Sequence, residues 1–145
     1  MRRVLLHPAV DRAAIDRAAA DLGWPLLNIL GRRDGRPRQL VFGGPDWLLT
    51  FVHDHRIDAR YAVAAAHDPE ALAGAVRASL PTLSLEDVLA RLDEDRVRAV
   101  CWLGVVGPDA PTEPIARILR EAGEHDDESL RNAARFATES LGWTP

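Results

Sequence analysis

The spacing of apolar positions changes its period partway along the chain. From residue 85 onward it is helical: Leu85, Val88, Leu89 and Leu92 follow the i, i+3, i+4, i+7 rule, and Ile115, Ile118, Leu119 and Ala122 repeat it 30 residues later. Val97, Val100, Cys101, Gly104 and Val105 form a second stripe, which Leu130, Ala133, Ala134, Ala137 and Leu141 nearly reproduce 33 residues on. Two helical hairpins are predicted. Acidic turns, Asp93-Glu94-Asp95 and Glu124 to Glu128, precede both second helices and favour their positive ends. Ser84 with Asp87 reads as a capping box, and Thr112 before Glu113-Pro114 suits a first turn that needs no amide donor from proline.

The first half reads as a mixture. Arg2 to Leu6 is a short apolar run ending before Pro8, and Val10, Ala14, Ala18 and Leu22 then predict a helix over 10–22. Four segments rich in strand formers follow, at 24–30, 39–42, 47–53 and 57–65, separated by turn residues such as Asp34-Gly35 and Gly43-Gly44-Pro45-Asp46. Asp68-Pro69 opens a helix running to Leu80, and Pro81 is the natural joint. The order of elements predicts an α+β fold: a small antiparallel sheet with flanking helices over 1–81, then two helical hairpins over 82–145, packed together as one compact unit.

Within 95–104 and 128–137, with Leu141-Gly142 closing the second, an acidic turn leads into an aliphatic-Arg step and then into small residues. In this the region 82–145 resembles HEAT-type helical repeat proteins. The resemblance implies a stack of antiparallel hairpins that presents a surface to a partner. Two repeats leave an open end, which the first half or a second copy of the chain is expected to cover.

Composition narrows the function classes. Among the 145 residues no apolar run reaches the roughly 18 to 20 of a membrane span, and the N-terminus lacks the hydrophobic stretch of a signal peptide, so a soluble cytoplasmic protein without a membrane partner is expected. Residues 1–81 carry 11 arginines against 9 acidic groups, and residues 82–145 carry 7 against 13. The helical half, at −6, is a poor match for nucleic-acid phosphates. All 18 basic residues are arginine, which excludes a Schiff-base lysine and a lysine-bearing phosphate loop. Ser79, Ser84, Ser129 and Ser140 all fall at helical or capping positions, none in a nucleophile turn. The single cysteine, Cys101, falls on a buried stripe.

Three groups of residues are candidates for function. The basic loop holding Arg32, Arg33, Arg36 and Arg38 is either a solvated hairpin or a handle for an acidic partner. Trp102 and Trp143 are candidate partner anchors, with core packing as the simpler reading. His53-Asp54-His55 is an alternative polar site: on an extended strand the imidazoles would share a side about 7 Å apart, in reach of acid–base chemistry or a metal. The simpler reading is a hairpin turn, with no metal and no cofactor. The leading expectation is a non-enzymatic interaction or regulatory adaptor module of bacterial type, an immunity protein being one version, whose partner is an unidentified protein or a second copy. The alternatives are a small enzyme using the His-Asp-His segment and a helical-repeat protein of lyase type.

Overall fold

Strand β1 (Arg2–Leu6) leads into Asp11, whose carboxylate accepts the Ala14 amide at 2.9 Å and so starts helix α1 (Arg12–Leu22) in this computed structural model. The structure describes residues 1–33 and 35–143, which divide into two compact units, Met1–Leu83 and Ser84–Pro145. After α1 come strands β2 (Leu26–Leu30), β3 (Arg38–Gly44), β4 (Trp47–Asp54) and β5 (Ala59–Ala66), then helix α2 (Pro69–Ser79) and the two-residue strand β6 (Thr82–Leu83). Among the described residues these six strands form one antiparallel sheet in the order β2-β3-β4-β5-β1-β6. Thr82 and Leu83 pair with Leu6 and Leu5, which carries the first unit two residues past Pro81.

The register aligns two apolar rows across one sheet face. Val4, Ala62, Phe51 and Leu40 lie opposite one another from β1 to β3, as do Ala64, Leu49 and Phe42 from β5 to β3. Ile15, Ala18 and Ala19 of α1 and Ala73 and Val76 of α2 close over these rows in one core cluster. Burial of α1 differs from the expected stripe: Leu22 stands 46% exposed, while Val10 is buried ahead of the helix. The helix ends where Gly23 takes a left-handed conformation (φ 71°) and the Trp24 amide reaches back to the Ala19 carbonyl at 2.8 Å. Trp24 then packs beside Phe42 and Phe51, with ring centroids 6.4 and 6.2 Å away. That contact fixes where β2 begins.

The second unit holds α3 (Leu85–Leu89), α4 (Arg96–Val106), α5 (Glu113–Gly123) and α6 (Glu128–Leu141), packed as hairpin-like pairs. Its starts follow the sequence. Ser84 and Asp87 form the capping box, and Asp95 and Asp127 from the acidic turns cap α4 and α6. Helix α3 is a turn shorter than its apolar pattern suggested. Helix α4 is buried on all sides from Ala99 to Val105, so Trp102 and Leu103 join the expected stripe inside.

Helices α4 and α6 approach each other closely at Gly104. A Cβ added at Gly104 would stand 2.9 Å from the Ala137 Cα, and backbone cannot give way as a side-chain tip can. Gly104→Ala should therefore lower stability by about 1–3 kcal/mol, against a helix-propensity gain of about 1 kcal/mol if the crossing were open. Urea denaturation of the variant measures which effect wins, and a rise in stability would contradict this packing.

Candidate functional site

Among the described residues, strand β2 lies at one end of the sheet, with a strand neighbour, β3, on one side only. A bulge at Leu27 shifts its register on β3, so that Leu26 faces Phe42 and Ile29 faces Leu40. Both apolar rows therefore continue onto β2, yet all five of its residues are exposed. Leu26, Leu27, Ile29 and Leu30 show 45, 55, 51 and 43% of their surface. Leu48 of β4 and Leu27 both reach over Gly43, where side-chain atoms of each would stand within 3.0 Å of an added Cβ. Leu22, at the end of α1, lies four residues before the strand. Among the described residues, six of the seven exposed large apolar side chains thus lie on or beside this edge, Met1 being the other.

The strand runs into the arginine loop. Arg32, Arg33, Arg36 and Arg38 are all exposed, and the loop is pinched where the Arg36 amide donates to the Arg33 carbonyl at 2.5 Å. Gly35 supplies the left-handed residue (φ 78°) that the reversal needs. Asp34 lies outside the described residues. The β2 edge therefore ends on a block of positive charge.

The His-Asp-His segment is taken apart by the β4–β5 hairpin. His53 belongs to β4, whereas β4 ends at Asp54 and His55 falls in the turn, so the two imidazoles do not share a strand face. Residue 57, expected to open the next strand, belongs to the same turn, which closes at Asp58 (φ 49°). Asp54 is fully buried, and its carboxylate accepts the Arg56 amide at 3.1 Å and two guanidinium hydrogen bonds at 2.9 and 2.8 Å. Burial pushes the Asp54 carboxyl up, but the Arg56 hydrogen bonds and charge outweigh it and hold the group below the usual carboxylate range. Tyr61 on β5 is raised by burial and by the Asp54 charge. Asp54 is thus committed to building a turn.

His53 lines a different feature, a cavity of about 150 Å³ within the first unit. Leu6, Ile15, Leu40 and Phe51 give it an apolar floor, and Arg38 and Arg60 stand on its rim with His53. Burial lowers the His53 pKa first, and the Arg60 and Arg38 charges lower it further. The second unit has a larger groove of about 480 Å³, where Asp93, Arg96, Arg117, Glu121 and His125 mix both signs among leucines. Among the described residues, no group of three or more His, Cys, Asp or Glu side chains is placed to hold a metal ion.

Both candidate indoles are inside. Trp102 is 2% exposed, with the Arg91 and Arg98 guanidinium groups 5.9 and 5.7 Å from its ring. Trp143 is 9% exposed, and its Nε1–H donates to the Pro108 and Asp109 carbonyls at 3.2 Å each. Cys101 is likewise buried. The edge residues carried one signal in the sequence: the run Leu26-Leu27-Asn28-Ile29-Leu30 does not alternate, as a strand wet on one face should. Strand order, which decides whether such a run is central or outermost, is not written locally.

Asp54→Asn should cost about 1–3 kcal/mol at pH 7, because it removes the charge that Arg56 is arranged to meet. Since the folded carboxyl titrates below its unfolded value, this contribution is present above about pH 4 and lost as pH falls through the folded pKa. Urea melts from neutral to acid pH should show the two proteins converging at the acid end, and equal stability at pH 7 would contradict the assignment. No protein-family model, curated protein or solved structure compared with the chain matches it.

Proposed function

We propose that the protein is a non-enzymatic interaction module whose working surface is the β2 edge, and that a second copy of the chain occupies it by antiparallel strand addition. The observation that carries this reading is the gathering of four exposed apolar side chains on one unpaired sheet edge, with Leu22 and Leu48 beside it. Such an edge is a template for another strand, and a sheet that guards against this uses short or charged outer strands. The opposite edge, β6, is two residues long. Strand β2 is five residues long and carries no charge.

Charge complementarity favours a second copy. Helix α1 ends with Asp21 in its last turn and no basic residue there, leaving the negative end of its dipole uncompensated by its own side chains. Antiparallel pairing about the middle of β2 carries the Arg32–Arg36 loop of one copy past Trp24 toward Asp21 and Gly23 of the other, and the reverse. An arginine block then meets a helix carboxyl end twice. The close α4–α6 crossing supports the HEAT-like reading of the second unit.

Half-exposed leucine and isoleucine side chains release about 1 kcal/mol each on burial, so Leu26, Leu27, Ile29 and Leu30 from each copy supply at most about 8 kcal/mol before strand hydrogen bonds. Rigid-body association costs about 4–15 kcal/mol, so the strand hydrogen bonds and the arginine contacts must add to the apolar contribution to bring the dimer into the micromolar range. Sedimentation velocity from about 1 to 100 µM should show a monomer of 15.9 kDa converting to twice that mass. Leu27→Lys with Ile29→Lys should hold the protein monomeric with an unchanged circular dichroism spectrum. A wild-type protein monomeric throughout that range would overturn self-pairing, as would a charged double variant that still dimerises.

A further inference from the structure

The reading above leaves the 150 Å³ cavity unused. We propose that it binds a small aryl carboxylate, with the ring on the apolar floor and the carboxylate between Arg38 and Arg60 beside His53. The volume suits a single six-membered ring, since an apolar cavity of about 150 Å³ admits benzene. Leu6, Ile15, Leu40 and Phe51 supply carbon contacts on one side. The remaining lining carries three arginines, Arg12, Arg38 and Arg60, against the one carboxylate of Asp11.

The local ledger of partners supports this. Arg12 is committed to Asp16, with its Nε 3.1 Å from both carboxylate oxygens, and Asp11 uses an oxygen to cap α1. Arg60 spends only Nη1, which donates to the Pro8 carbonyl at 3.3 Å and to that of Val10. Those bonds hold its fork in place with the remaining nitrogens open. Arg38 lies across β4 from Arg60 through His53, and its guanidinium makes no hydrogen bond or ion pair with the described residues. Two guanidinium groups flanking one imidazole, with Asp11 the single carboxylate of the lining and one of its oxygens engaged at the helix cap, suit a bidentate anion. Burial is the main cause of the lowered His53 pKa, and the Arg60, Arg38 and His55 charges add to it against Asp58, a contribution that an anion in the cavity would oppose.

The test is an NMR titration of the whole protein with benzoate, following the His53 Cε1–H signal across pH. A saturable shift with a Kd at or below about 1 mM is expected, together with a rise of the His53 pKa in the bound form. Arg38→Gln should weaken benzoate roughly tenfold, the usual effect of one charge-assisted hydrogen bond, while leaving benzamide, the neutral isostere, unaffected. Arg38 is exposed, so its replacement should leave the thermal melt in place. Absence of a saturable response up to about 10 mM benzoate would overturn the proposal. Equal affinity of the wild type and Arg38→Gln for benzoate would overturn it as well.

Discussion

The first unit is governed by a mismatch between the width of its sheet and the reach of its helix layer. Six strands at about 4.8 Å spacing span about 24 Å, whereas two helices side by side cover about 20 Å. Helices α1 and α2 close over β1, β5, β4 and β3, where the apolar rows are buried. The rows do not stop there. They continue through Leu40 to Ile29 and through Phe42 to Leu26, onto a strand the helices do not shelter.

The exposed edge is held in place. Helix α1 ends in a left-handed glycine cap, Trp24 packs beside Phe42 and Phe51, and the Gly43 amide donates to the Pro25 carbonyl at 3.1 Å. These contacts deliver β2 to its position as a paired strand, with one set of backbone groups facing outward. A fixed apolar edge loses less freedom on pairing than a loop that must first order, which favours association at a given buried area. The β4–β5 hairpin is secured by different means, through Asp54 and Arg56, and the rim of the neighbouring cavity gains its rigidity from Arg60 held on two carbonyls.

Most element types were legible because the local signals are strong. Asp68, Asp95 and the Ser84–Asp87 box begin helices where capping chemistry predicts, and the strand formers of 57–65 mark a strand, whose core-facing residues are Ala62 and Ala64. Where the reading slipped, tertiary context decided the outcome. Leu22 matched a helical stripe yet lies beyond the core, and Ile57 matched a strand alternation yet lies in a turn stabilised by Asp54. Trp102 lay just off its predicted stripe and is buried because α4 is enclosed on every side. The candidate surface was the least legible part. Arg32, Arg33 and Arg36 mark one end of it, but the exposure of Leu26 to Leu30 follows from strand order, which depends on pairings between residues far apart in sequence.

The central claim is that β2 is where two copies meet. A mixed sample, one copy isotope-labelled and the other not, allows magnetisation transfer between chains to be read by filtered NMR. The account predicts intermolecular contacts from the Leu26, Ile29 and Leu30 methyl groups to backbone amides of β2 in the other copy, with the Arg32–Arg36 loop near Asp21. Intermolecular contacts confined to any other surface, or none at a concentration where the dimer predominates by sedimentation, would contradict it.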